Sequence, residues 1–343
     1  MREAQMREAD PTVLLRLVND LRVLRSAWER EPIVSTGLGD FADVFCLRAA
    51  ERLLCSALPV SAVRIFRDGR RLPADAVARI PPGRRGEPVV DGARLADRVA
   101  GGATVVLEDL QTHSAPVAAF AREVALATGY GTYCAAFLTP ARARGVAPHY
   151  DTASVFIRQV RGSKRWRVGA PERPWPAVEC GPGGLAEPAP VLDVVLREGD
   201  CLYLPRGFVH VGDATDEASV HLSVAVLPTT WGAVLADLVR AAAEESAALR
   251  EALPPRFAQP APDGAALARA RLRELTDWLA RRLDGGLALD DFRPAAPEPP
   301  GPPGHLVRAL EGGGPPAAGP PAARARTADP PAAGPPASGT RAA

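Results

Sequence analysis

The sequence predicts an α+β protein: a small β-barrel or jelly roll with flanking helices. Three observations predict it. Short runs of β-branched and aromatic residues, separated by turn signals, occupy the stretch between about residue 130 and residue 226. Stripes with helical period lie on both sides of that stretch. The 343 residues carry 47% apolar side chains, ample for a core and long enough for two domains.

Taken in order, Asp10 can cap a helix with Pro11 at its first position, and Val13, Leu14, Leu17, Leu21 and Leu24 give that helix one apolar face. Residues 33 to 130 mix helices and short strands that would buttress the barrel and supply edge strands. Ala49 to Leu58 and Val117 to Ala127 are the helix candidates, and Thr104 to Leu107 is a strand. Ser154 to Val160 reads as a strand, Arg161-Gly162-Ser163 as a turn and Lys164 to Val168 as the returning arm of a hairpin. Val191 to Leu196, Cys201 to Leu204, the segment opened by His210, and Ser219 to Val226 supply further strands. The turns between them are Arg197-Glu198-Gly199-Asp200 and Pro205-Arg206-Gly207. Thr229 or Thr230 can cap a helix through Val234, Leu235, Leu238, Val239 and Ala242. A second helix carries Ala268, Leu272, Leu275, Leu279 and Leu283 on one stripe and stops at Gly285-Gly286. Such stripes ordinarily pack within the chain. From Pro294 onward Pro, Gly and Ala dominate, a composition that predicts disorder.

Chemistry concentrates at His149-Tyr150-Asp151 and at His210, which closes the run from Gly199. In an extended segment His149 and Asp151 project to one side and Tyr150 to the other. Two imidazoles and one carboxylate fill three positions of an octahedral metal and leave the rest open, the facial arrangement used by non-haem Fe(II) oxygenases. In the arm after the turn, Lys164, Trp166 and Val168 share one face, while Arg165 and Arg167 share the other. Lys164 can thus enter the barrel and hold the distal carboxylate of a 2-oxo acid, or it can be a solvated hairpin-end lysine. Of the other histidines, His113 reads as solvated, His305 as part of the Pro-rich tail, and His221 as a core or supporting residue.

The segments Ala135-Ala136-Phe137-Leu138-Thr139-Pro140, Pro148-His149-Tyr150-Asp151, Gln159 through Val168, and Gly199 through His210 resemble JmjC-type cupins of the ribosomal oxygenase family. A looser match reaches back to Trp28-Glu29-Arg30-Glu31-Pro32 and forward to Leu249 through Pro254. The resemblance implies a double-stranded β-helix, Fe(II), 2-oxoglutarate as cosubstrate, and hydroxylation of a protein side chain, Arg or His of a ribosomal protein. It makes His149, Asp151 and His210 the iron ligands and Lys164 the partner of the cosubstrate carboxylate. Relatives often carry Asn and Tyr where this chain has Ala135 and Phe137, and loss of those two hydrogen-bonding groups weakens cosubstrate binding by about 1 to 3 kcal/mol. Relatives also usually finish with a winged-helix domain, and none is expected here. The implied organisation is a mixed N-terminal segment (1–95), a catalytic cupin (96–228), a helical module (229–292) and a Pro/Ala/Gly-rich tail (293–343). In the resembling family the helical module serves dimerisation, which makes a homodimer the expected assembly. Two alternatives stay open: a tailoring hydroxylase of a biosynthetic peptide or small molecule, and a catalytically weak cupin binding module.

A formal net charge of +1 does not indicate nucleic acid or an anionic membrane as partner. Arg70-Arg71 and Arg84-Arg85 read as solvated surface. Neither a signal-like apolar region nor a membrane-length run is read, so a cytoplasmic location is expected. Five cysteines without a Cys-x-x-Cys spacing read as free thiols, and Cys201 either faces the site or belongs to the core. Around the barrel mouth, Glu172 to Pro190 is a Pro- and Gly-rich loop placed to influence substrate choice.

Overall fold

A computed structural model of the chain describes residues 10–81, 87–171, 173–180, 185–253 and 263–286. The expected tail with His305, the Arg84-Arg85 pair and Pro254 lie outside the described residues.

The N-terminal helix divides in two. A 3-10 turn over Pro11–Arg16 is capped by Asp10, whose carboxylate accepts from the Thr12 amide at 2.9 Å. Helix α1 (Leu21–Ala27) then starts afresh because the Asp20 side chain accepts from the Arg22 amide at 2.7 Å, a competing cap inside the expected stripe. The apolar positions still reach one core, with Leu17 and Leu24 buried.

Strand β1 (Ile33–Ser35) and helix α2 (Leu47–Cys55) lead into β2 (Val63–Arg67), β3 (Arg70–Leu72), and the short pair β4 (Ala78–Arg79) and β5 (Val89–Val90). Helix α3 (Gly92–Ala100), β6 (Thr104–Leu107), α4 (Leu110–His113) and α5 (Ala115–Thr128) follow. The barrel proper comprises β7 (Gly131–Thr139), β8 (Ser154–Arg161), β9 (Lys164–Gly169), β10 (Pro190–Leu196), β11 (Cys201–Leu204), β12 (His210–Ala214) and β13 (Ser219–Leu227). Its major sheet has eight strands in the order β1-β11-β8-β13-β7-β6-β2-β3, and the minor sheet has three in the order β10-β9-β12. As expected, the N-terminal region supplies edge strands to the larger sheet.

One expectation is corrected. Strands β8 and β9 do not pair as a hairpin: β8 pairs with β11 and β13, whereas β9 pairs with β10 and β12. The turn at Arg161–Ser163, with Gly162 at φ 64°, carries the chain from one sheet to the other. A two-sheet barrel demands this, since consecutive strands that alternate between facing sheets close a core that paired neighbours would leave open. The fold is the double-stranded β-helix, two antiparallel sheets facing each other with flanking helices.

Helix α6 (Trp231–Glu245) begins at Thr230, whose hydroxyl accepts from the Ala233 amide at 3.2 Å, and the short α7 (Ala247–Arg250) follows after a break at Ser246, whose backbone is extended. Helix α8 (Gly264–Asp284) ends at Gly285. Their stripes are only partly covered: Val234 and Ala242 are buried and Leu238, Leu275 and Leu279 half-buried, while Leu235, Val239, Ala268, Leu272 and Leu283 are exposed. The expected intramolecular packing therefore accounts for one part of each stripe. Among the described residues no helix is long and apolar enough to cross a membrane.

Candidate metal centre and its cavity

Alternation along the strands decides what enters the barrel. On β7 the side chains of Tyr133, Ala135 and Phe137 border a cavity of about 470 Å³ between the sheets. His221, Ser223 and Ala225 enter from β13, Lys164 and Trp166 from β9, and His210 and Gly212 from β12. The outward residues of β9 form an ionic lattice on the other face. Arg165 pairs with Asp193 at 2.6 Å, and Arg167 pairs with Asp213 at 2.8 Å and Glu187 at 3.1 Å.

His149 lies in the segment between β7 and β8, held against β12 as an isolated antiparallel bridge. The His149 amide donates to the His210 carbonyl at 3.2 Å and the His210 amide donates to the His149 carbonyl at 2.8 Å. Asp151 is fixed by its carbonyl, which accepts from the Gly207 amide at 2.9 Å. Gly207 has φ +88°, and a Cβ there would stand 2.9 Å from Pro176, so the turn preceding His210 requires glycine. Ligand atoms of His149, Asp151 and His210 all lie within 4.8 Å of one another. Tyr150, expected to point away, also borders the cavity, because residues 149–151 do not form a regular strand.

Both imidazoles are oriented in the same way. Nδ1 of His149 lies 2.8 Å from the Ala147 carbonyl, and Nδ1 of His210 lies 3.0 Å from the Phe208 carbonyl. A carbonyl can only accept, so each Nδ1 carries the proton and each Nε2 keeps its lone pair. Those Nε2 atoms face the Asp151 carboxylate at 3.8 and 3.7 Å. Burial, more than the neighbouring His149, holds His210 below its ordinary pKa and keeps it neutral. Two imidazole lone pairs converging with a carboxylate fit a divalent first-row metal.

Lys164 is fully buried and donates to the Thr139 hydroxyl at 3.1 Å. It forms no ion pair with a described residue, and burial pushes its ammonium down to about 7, an effect that Asp213 offsets only in part. Two glycines make its slot. A Cβ on Gly212 would lie 2.8 Å from Lys164 Cε and 3.0 Å from the Trp166 ring, and one on Gly145 would lie 3.1 Å from Nζ. The reading of Lys164 as an interior cation therefore holds over the solvated one.

Sequence reasoning missed Thr139, Gly145 and Gly212. Thr139 was available from the two-residue period of β7, whereas the glycines are recognisable only once β12 is laid beside the lysine. Cys201 does not face the site. It is buried in the main core with a thiol pushed up to about 12, while Cys180 borders the cavity and its sulfur receives the Tyr150 amide at 3.4 Å. All five cysteines are free. His113 is half-buried at the end of α4 and His221 is buried beside Phe137.

Residues 116–234 match the JmjC domain family. Over 133 residues the chain is 41% identical to ribosomal oxygenase 1 of Bos taurus, covering 35% of this chain and 20% of that protein. Over 125 residues it is 36% identical to the bifunctional lysine-specific demethylase and histidyl-hydroxylase NO66 of Drosophila persimilis, covering 34% of this chain and 18% of the relative. The match thus spans about a fifth of the length of these curated relatives. Among solved structures, YcfD, a ribosomal oxygenase from Escherichia coli in complex with cobalt and 2-oxoglutarate, superposes with a TM-score of 0.50 at 20% identity. That superposition covers 77% of this chain and 67% of YcfD.

Proposed function

We propose that this chain, whose residues 116–234 form a JmjC domain, is an Fe(II)- and 2-oxoglutarate-dependent oxygenase that hydroxylates a protein side chain. One observation carries the reading: two Nε2 lone pairs and a carboxylate converge in the same cavity as a buried lysine that forms no ion pair among the described residues. His149, Asp151 and His210 would hold the metal. When bound, it supplies activation of oxygen at the expense of 2-oxoglutarate, a reaction no side chain performs alone.

The chain's own residues bind, orient and exclude water. Lys164 offers an ammonium with unused donors to the distal carboxylate of the cosubstrate, and Thr139 fixes its direction. Trp166, Ile157, Val155 and Phe137 make the cavity wall apolar, which strengthens that charge-assisted contact. Ala135 and Phe137 remove two polar contacts relative to the resembling pattern, so a larger share of cosubstrate binding falls on Lys164.

Protein side chains are the favoured substrate class, an Arg or His of a ribosomal protein first among them. The relatives' names, ribosomal oxygenase and histidyl-hydroxylase, support the ribosomal protein and the His, and the charge of the cavity border supports either side chain: Glu108, Asp109 and Glu179 lie there, and Arg64 is paired with Glu108 at 2.9 Å. Such a rim suits a cationic or imidazole side chain entering from an extended peptide. A homodimer joined through α6 and α8 and a cytoplasmic setting complete the proposal. Tailoring of a small biosynthetic peptide is the competing outcome. Intact-mass spectra of ribosomal proteins from cells with and without the gene test it: a single added oxygen that disappears on deletion is expected. Identical spectra would move the assignment to peptide tailoring.

A further inference from the structure

His221 occupies the inner face of β13, between Phe137 on β7 and Gln159 on β8. It is 1% exposed, and neither Nδ1 nor Nε2 has a hydrogen-bond partner among the described residues. The ring lies flat on Phe137, with centroids 4.7 Å apart and planes 10° from parallel, and meets Trp166 edge-on at 5.4 Å. Both contacts hold the ring in place. Buried polar atoms without partners are rare because each costs about 1 to 3 kcal/mol. A histidine kept only to fill the core would be replaced at no loss by Phe or Leu.

Its surroundings identify the missing partner. His221 borders the same cavity as Lys164, whose ammonium uses one of its donors on Thr139. Lys164 lies 5.2 Å from the Trp166 ring and 6.0 Å from the Phe137 ring, the two rings that also confine His221. One ammonium balances a single carboxylate in charge, and a neutral imidazole N–H adds a further donor without adding charge. A second cation beside Lys164 would leave a net charge in a dry cavity, which favours the neutral imidazole as the donor.

We propose that His221 is a cosubstrate-positioning residue whose imidazole donates a hydrogen bond to the distal carboxylate of 2-oxoglutarate, alongside Lys164. This rests on the oxygenase reading above. His221 thereby supplies, from β13, a polar contact that Ala135 and Phe137 cannot make from β7.

The test is a binding measurement without turnover, by calorimetry on the full chain loaded with Mn(II). Two ligands are compared: 2-oxoglutarate, and pyruvate, which has the same 2-oxo acid end and no distal carboxylate. His221→Phe keeps the ring stack on Phe137 and removes both nitrogens. The expected result is a Kd for 2-oxoglutarate raised about tenfold or more, an unchanged Kd for pyruvate, and partial recovery in His221→Gln, which restores an N–H donor. If His221→Phe does not fold, His221→Leu takes its place against His221→Gln. Equal 2-oxoglutarate affinity in the unmutated and donor-free proteins overturns the proposal, as does an equal loss for both ligands, which would place the effect at the metal end. An unmutated protein that binds Mn(II) but not 2-oxoglutarate overturns the oxygenase reading itself, and this inference with it.

Discussion

His149 and His210 exchange both backbone hydrogen bonds, at 3.2 and 2.8 Å, as an isolated antiparallel bridge. This pairing brings the two imidazoles to a centroid separation of 4.3 Å and aims both Nε2 atoms at Asp151. Backbone pairing thus sets two of the three donor side chains next to each other. His149→Ala or Asp151→Ala should abolish stoichiometric Fe(II) or Mn(II) binding while shifting Tm by only a few degrees. Metal content by elemental analysis, read beside a thermal melt, checks both halves. Retained stoichiometric metal in both variants would reject the ligand assignment.

Lys164 stands in a slot closed by Gly145 and Gly212. Lys164→Met should leave the fold intact and raise Tm, because a buried ammonium that Asp213 offsets only in part is replaced by an apolar chain of similar length. The same change should raise the Kd for 2-oxoglutarate at least about tenfold. Lys164→Arg should not rescue binding, since the guanidinium is too wide for the slot. Calorimetry and melting of the two variants decide it. An unaltered Kd in Lys164→Met would mean that another cation holds the carboxylate.

Gly212→Ala introduces a methyl group 2.8 Å from Lys164 Cε and 3.0 Å from the Trp166 ring. Overpacking of this kind costs about 1 to 3 kcal/mol. Affinity for 2-oxoglutarate should fall with it, because the lysine must move to make room. A variant that melts and binds like the unmutated protein would show that the slot is not tight.

The depressed pKa of Lys164, about 7 against an ordinary 10.5, gives a pH dependence with a defined sign. Between those two values the unfolded chain binds a proton that the folded chain does not, so this group's contribution to stability is full above about pH 10.5 and is lost as pH falls to about 7. Cosubstrate binding runs the other way, because the distal carboxylate needs the ammonium. Apparent affinity for 2-oxoglutarate should decline above pH 7 by up to about tenfold per unit, and binding near neutrality should take up protons. Calorimetry in buffers of different ionisation enthalpy measures that uptake. Lys164→Met should show neither effect.

Trp231, Leu235 and Val239 recur at helical spacing on α6 and are 67%, 53% and 46% exposed. An apolar face of this kind fits the proposed dimer. Leu235→Asp together with Val239→Asp should convert a dimer to monomer in light scattering and leave metal stoichiometry unchanged. A monomer in the unmutated protein would reject the dimer.

Patterns of period two and local turn chemistry were legible in the sequence. β6 and β11 fall on their expected residues, and β9 shows the inward Lys164, Trp166 and Val168 with the outward Arg165 and Arg167. The candidate ligands were legible as well, because metal donors are few among residue types and the turns around them are marked by Pro and Gly. Pairing was not. Whether β8 returns beside its neighbour or crosses to the facing sheet depends on which partners complete its hydrogen bonds, and those partners, β11 and β13, lie far along the chain. For the same reason the slot around Lys164, the burial of Cys201 away from the cavity and the unpartnered nitrogens of His221 emerged only from the packed barrel. Alternation is a property of one strand, whereas burial and partner satisfaction belong to the whole arrangement of strands.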